Sequence, residues 1–221
     1  MWATWRGPPG PWTYLVVTHI AGSTWMQLYP QLHTDARLSA HRHIGRAAGQ
    51  FHALRFDAFG QIDATGSVID ATTAVPALRR RVGLRLTNRR YLVLFLEVFQ
   101  ERQHMFDGVS TPTLCHEDLN PNNLVFEMRD GRPALTGILD FESAWASTGE
   151  SVLARLELWW MSAGTAIREG YTDVPPLAAE CEARRPLLQL LWCLEYAEFR
   201  NAAQDEAVMR QVCDELAIRY P

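Results

Sequence analysis

The sequence predicts an α+β, mainly helical fold in which one β-hairpin lies across several amphipathic helices. Three observations predict it. Apolar residues recur at helical spacing through most of the chain. Two apolar runs, Leu124 to Phe126 and Leu135 to Leu139, flank Arg129, Asp130, Gly131 and Arg132. Asp-Gly supplies the positive φ angles that a tight turn between twisted strands needs, so this is a hairpin signal. Finally, the 221 residues are 48% hydrophobic and 21% charged, a balance that lets an ordinary globular chain bury a core.

In chain order, residues 1–11 carry no period and read as a loop. Residues 13–20, TYLVVTHI, are apolar and β-branched and predict a strand that ends at Ala21-Gly22. From Asp35 to Arg55, Ile44, Ala47, Ala48, Phe51 and Leu54 recur at helical spacing, predicting an amphipathic helix. His41, His43 and His52 have no carboxylate or Cys at ligand spacing, so they read as surface or core histidines. Residues 56–74, rich in Gly, Asp and Thr, read as loop and short turns. Pro76 can open a helix, and Arg89 to Phe106 places Tyr91, Leu92, Phe95, Val98, Phe99 and Phe106 on one face. Gly108 to Pro112 breaks that pattern. After the hairpin, Glu150 to Gly170 reads as one helix, followed by amphipathic segments over Pro186 to Asn201 and Asp205 to Tyr220. Val208, Val212 and Leu216 mark the buried stripe of the last one.

The chemistry is concentrated in residues 114–142, LCHEDLNPNNLVFEMRDGRPALTGILDFE. In an antiparallel pair folded about Asp130 and Gly131, facing residue numbers sum to a constant, so Asn123 falls opposite Ile138 and diagonal to Asp140. The loop before the first strand brings His116, Asp118, Asn120 and Asn122 to the same end. A cluster of two Asp and an Asn without a Cys ligand set suits a hard cation such as Mg²⁺ carrying phosphates. Competing patterns fail on particular residues. A calcium loop starting at Asp118 would need Gly where Asn123 stands and Glu where Arg129 stands, and the zinc motif H-E-x-x-H would need His where Asn120 stands. An ordinary turn, its Asp and Asn side chains bonded to their own backbone, stays open for each residue taken singly.

His116, Asp118 and Asn123 reproduce H-x-D-x-x-x-x-N, and ILDFE at 138–142 resembles the metal-binding Asp segment of kinase-like enzymes. HEDLNPNNLVF followed by GILDFESA resembles the aminoglycoside phosphotransferase and choline kinase group more closely, and HIGRAAGQFHAL resembles its first large helix after the hinge. The resemblance implies transfer of the ATP γ-phosphate to a hydroxyl of a small molecule, with a cationic acceptor as the family expectation. It implies Asp118 as catalytic base, Asn123 and Asp140 as Mg²⁺ ligands, and His116 as a brace for the loop. Thr18, His19 and Ile20 would form the hinge that contacts the adenine, although the run alone reads equally as an ordinary buried strand. Glu117 stands where the family has a small Gly. The customary D-L-A helix anchor is also absent, since Val152 and Leu153 precede Ala154. Glu157, Glu195 and Glu198 are the acids available for a cationic acceptor, and each reads by itself as a solvated helix face.

Net charge of −4 and a pI near 6.0 provide no basic field for nucleic acid. Cys115, Cys181, Cys193 and Cys213 lack C-x-x-C spacing and read as free thiols. The apolar stretch Tyr14 to Ile20 is too short to span a bilayer, and with no targeting pattern the expected location is the cytoplasm.

The resemblance also implies a division of the chain. Residues 1–22 would be a remnant of the first lobe with the hinge strand, and residues 23–221 the helical second lobe. The sequence contains no Lys, so the residue that pairs with the α and β phosphates has no candidate, and activity of this chain alone is expected to be slight. A truncated gene product and a genuine short protein both fit. The alternative function is a non-catalytic, kinase-like binding module, and an uncovered hinge strand would favour homodimerisation through residues 12–30.

Overall fold

The computed structural model describes residues 18–171, 180–199 and 203–221. Most of the strand expected over residues 13–20 therefore lies outside the described residues. Gly22, at φ +131°, brings the backbone so close to Phe126 that a β-carbon would overlap its carbonyl. That approach lets β1 (Ser23–Thr24) pair with the later hairpin before a single helical turn, α1 (Trp25–Leu28). The expected amphipathic helix is α2 (Thr34–His52), which buries Ile44, Ala47 and Ala48. Leu54 falls beyond its end and is exposed, which corrects its place on the apolar face.

Residues 56–74 hold a second hairpin instead of loop alone: β2 (Phe59–Ile62) and β3 (Val68–Thr72). Weak strand formers are held here by the turn and by non-local pairing. Asp63 Oδ1 accepts from the amides of Thr65 (2.8 Å) and Ser67 (3.0 Å), and β2 also pairs with a strand more than eighty residues on. Two helices follow, α3 (Ala74–Arg85) and α4 (Arg89–Arg102), the second capped by Asn88, whose side chain accepts from Arg90 N at 2.9 Å. Next come β4 (Thr113–Cys115), the central hairpin β5 (Leu124–Arg129) and β6 (Arg132–Ile138), and β7 (Trp145–Ser147). The strands form two antiparallel sheets, ordered β1-β5-β6 and β3-β2-β7-β4.

The helix expected over 150–170 is two: α5 (Glu150–Trp159) and α6 (Gly164–Gly170), separated where Trp160 leaves helical geometry at φ −137° and ψ 58°. The chain closes with α7 (Cys181–Phe199) and α8 (Ala203–Glu215). One apolar cluster joins α3, α4, α7 and α8 around Phe95, Phe99 and Trp192, and a second joins α1, α2, α5, α6 and the hairpin around Trp25, Ile44 and Leu156. Each fully buried large apolar side chain there contributes about 1.5–3 kcal/mol. All four cysteines are free and buried, and no described helix is long and apolar enough to cross a membrane.

Helices α2 and α6 touch backbone to backbone at Gly45, where a β-carbon would overlap the Ile167 carbonyl. Gly45→Ala is therefore expected to destabilise the protein by about 1–3 kcal/mol despite its better helix propensity. Denaturant unfolding checks this, and an unchanged midpoint would mean that the helices are not in contact there.

Two buried histidines link this core to pH. His41 packs edge-on against Trp25 (5.4 Å) and Trp160 (5.3 Å), and His52 Nδ1 lies 2.5 Å from the Tyr171 hydroxyl. Burial lowers each from 6.5 to about 4. The unfolded chain thus takes up protons at each site from pH 6.5 downward, before the folded chain does. Stability from this source is whole above pH 6.5 and falls between there and pH 4, by about 1.4 kcal/mol per pH unit for each ring. Urea midpoints that stay flat across that window would contradict the neutral assignment.

Candidate active site

The central hairpin contains an irregularity that sets the site. From Arg129–Arg132 to Phe126–Leu135 the pairing keeps one register, but the register then shifts, so that Val125 faces Gly137 and Leu124 faces Ile138. Thr136 is the extra residue, and its hydroxyl donates to Val125 O (3.2 Å) and Ala21 O (3.0 Å). Asn123 is consequently level with Leu139, not Ile138, and its carbonyl accepts from Leu139 N at 2.8 Å.

Leu139 is held from both sides, since His116 Nε2 donates to its carbonyl at 2.8 Å. His116 Nδ1 accepts from Asp118 N at 3.2 Å, which fixes the tautomer. Burial lowers the pKa of this ring, so it remains neutral and able to make both bonds. His116 thus ties Asp118 to the residue before Asp140. Asp140 itself is exposed in the left-handed region at φ 65° and ψ 68°. Phe141 then packs on His116, ring centroids 4.4 Å apart.

The Asp118 carboxylate is engaged on both oxygens. Oδ2 accepts from Asn120 Nδ2 (3.1 Å) and Asn123 Nδ2 (3.3 Å), and Oδ1 accepts from Arg155 Nη2 (2.5 Å). These bonds hold Asp118 in the lining of a cavity of about 480 Å³ between the loop at 118–122, the end of α3 and α7. Asn123 spends its amide N–H groups on Asp118, which leaves Oδ1 as the atom able to reach a cation. Together with the Asp140 carboxylate it offers hard oxygen donors of the kind Mg²⁺ takes. Among the described residues no group of three or more His, Cys, Asp or Glu could hold a metal. A cation here would share its shell with phosphates and water, the usual arrangement for Mg²⁺.

Sequence reasoning missed what holds this loop from behind. Glu117 adopts φ 62°, the conformation its Gly counterpart would take freely, and its carboxylate is buried in an ion pair with Arg81. Ser151 and Arg155 of α5 complete the anchor: Arg81 Nη1 donates to Ser151 Oγ at 3.1 Å, and Arg155 Nη1 donates to Glu117 O at 2.6 Å. Trp192 lies beneath, 4.6 Å from the Arg81 guanidinium and 4.2 Å from that of Arg155. Burial pushes Glu117 up and Arg81 down while their mutual attraction opposes both shifts, so this pair fixes geometry more than it adds stability. A carboxylate on the loop and cations on two helices thus anchor the loop. The departure at Glu117 was the one local signal for it.

The three acids read as solvated helix faces are all committed. Glu195 pairs with Arg85 (2.6 Å), Glu157 with Arg168 (2.6 Å) and Arg185 (3.3 Å), and Glu198 accepts from the amides of Thr87 (3.0 Å) and Asn88 (2.8 Å). Of the expected hinge residues, Thr18 and His19 are exposed and Ile20 packs against Gly137 beside the hairpin irregularity.

The model of the phosphotransferase enzyme family (APH) matches residues 7–146, a span that includes Thr18 to Ile20, the loop at 116–122, the hairpin and Asp140. The chain belongs to this family. Solved phosphotransferase structures share its fold. A putative fructosamine-3-kinase from Thermobifida fusca is 18% identical at a TM-score of 0.52, over 92% of this chain and 69% of that one. Aminoglycoside phosphotransferase APH(4)-Ia is 17% identical at a TM-score of 0.61, over 92% and 71%. A thermostable mutant of the latter, in ternary complex with AMP-PNP and hygromycin B, is 16% identical at a TM-score of 0.62 over the same shares. No curated protein sequence matches the chain. At these identities the likeness carries the kinase-like phosphotransferase fold of helices and small sheets, and nothing about substrate.

Proposed function

We propose that this family member transfers the γ-phosphoryl group of ATP to a hydroxyl of a small molecule, with Mg²⁺. The observation that supports the reading is the setting of Asp118: its carboxylate is fixed by Asn120, Asn123 and Arg155 in the lining of a cavity, while Leu139, the residue before Asp140, is tied to the same loop through His116. A bound acceptor hydroxyl gives its proton to Asp118 as its oxygen bonds to the γ-phosphorus. The bond from that phosphorus to the bridging oxygen breaks, and ADP leaves with the electron pair. Asn123 and Asp140 would hold Mg²⁺, which neutralises charge on the phosphate oxygens. Thr18, His19 and Ile20 are proposed as the adenine-side contacts, and residues 23–221 as the lobe that handles metal and acceptor.

Phosphoryl transfer depends almost wholly on positioning and electrostatics, which suits a site where each polar group of the base is held by another. Incubating the protein with Mg·ATP and a panel of small hydroxy compounds, and reading products by mass, tests the proposal. Products one phosphoryl group heavier than an acceptor support it. ATP consumption that never yields such a product, whatever the acceptor, would count against it.

A further inference from the structure

The cavity beside Asp118 has four charged residues in its lining: Asp118, Glu195, Arg85 and Arg155. Both acids are already paired, Asp118 with Arg155 at 2.5 Å and Glu195 with Arg85 at 2.6 Å. A cationic acceptor would compete with an arginine for either carboxylate. Two donors on the arginines, Nε of Arg85 and Nε of Arg155, are buried without a hydrogen-bond partner, whereas the one unpartnered acid oxygen, Oε2 of Glu195, already faces Arg155 at 3.8 Å. Turnover widens this asymmetry. When Asp118 takes the hydroxyl proton it loses its charge, and Arg155, only 5% exposed, keeps Glu195 at 3.8 Å as its other carboxylate contact. A buried guanidinium without a close counter-ion is costly, so a negative charge supplied by the acceptor would be favoured beside it.

We propose that the acceptor carries a carboxylate or a similar anionic group beside the hydroxyl to be phosphorylated, and that Arg155, assisted by Arg85, recognises it. The inference rests on the phosphotransferase reading, since it takes this cavity as the acceptor site. Arg155 holds Asp118 until the acceptor arrives. The anionic group then exchanges for Asp118 as the partner of Arg155, freeing Oδ1 to receive the hydroxyl proton. The exchange preserves charge balance in a buried place, and a cationic or neutral analogue cannot make it. A guanidinium is matched to this task because its planar fork bonds a carboxylate through two parallel donors.

Matched acceptors separate the alternatives: gluconate, glucitol and glucamine share one carbon skeleton, as do glycerate, glycerol and serinol. Binding is read by calorimetry without nucleotide, and phosphorylated product is read separately by mass with Mg·ATP. The anionic member of at least one set is expected to bind about tenfold more tightly than its neutral and cationic counterparts, with the preference weakening at high salt. Arg155→Met should abolish the preference. Arg85→Met, which leaves the Asp118 contact in place, should reduce it, and thermal unfolding of both variants reports whether the fold is intact. Amines bound as well as or better than acids, or no binding of either acid at about 10 mM, would overturn the proposal. Arg155-dependent acid binding with no phosphorylated product would instead leave anion recognition standing and defeat the phosphotransferase reading.

Discussion

Asp118→Asn is expected to lower the rate of phosphoryl transfer by about a hundredfold to ten-thousandfold, the range for loss of a positioned general base. The substitution preserves size, and an amide oxygen can still accept from Asn120 and Asn123, which hold Oδ2 in the native site. What disappears is the proton acceptor and the charge that Arg155 clasps at 2.5 Å. The loss should therefore appear in kcat, because the hydroxyl's proton matters only as the new bond forms. The measurement is the initial rate of product formation over long incubations. A rate unchanged in a correctly folded variant would remove Asp118 from the role of base.

Arg81→Met is expected to destabilise the fold by about 3–5 kcal/mol, since it leaves a buried carboxylate without its counter-ion. Glu117 and Arg81 are each about 1% exposed, so water cannot replace the lost partner. Pairing Arg81→Met with Glu117→Gly should recover much of the loss, because it removes the stranded charge and also relieves a non-Gly residue at φ 62°, a strain of about 1–2 kcal/mol. Chemical denaturation of the two single variants and the double variant measures the coupling. Additive losses would show that Glu117 and Arg81 are not one unit, and the account of how this loop is anchored would fail.

The motif residues of the candidate site were legible in the sequence, and those that support them were not. H-x-D-x-x-x-x-N and the Asp-Gly turn are short-range patterns, so His116, Asp118, Asn123 and the hairpin could be read directly. The shift at Thr136 could not, because a bulge is chosen by what the strand meets, here the Ala21 carbonyl and β5. The hairpin over 59–72 was read as loop for the same reason: its pairing with β7 outweighs the weak strand propensity of Gly and Asp. Arg81, Arg155 and Glu195 converge from three helices far apart in sequence. Each alone resembles a surface charge, and only the third dimension shows that they meet over Trp192 and around Glu117. The break after Trp159 left no Gly or Pro signal until Gly164, so a single helix was the natural reading.

Calorimetric titration of the 221-residue chain with Mg·ATP, beside Asp140→Asn, tests most directly the claim that metal and acceptor are handled here while the α and β phosphates have no lysine to hold them. Weak binding is expected, with Kd on the order of hundreds of micromolar or more, lost on Asp140→Asn and accompanied by slow turnover at most. Tight binding with ready turnover, indifferent to the change at Asp140, would contradict it.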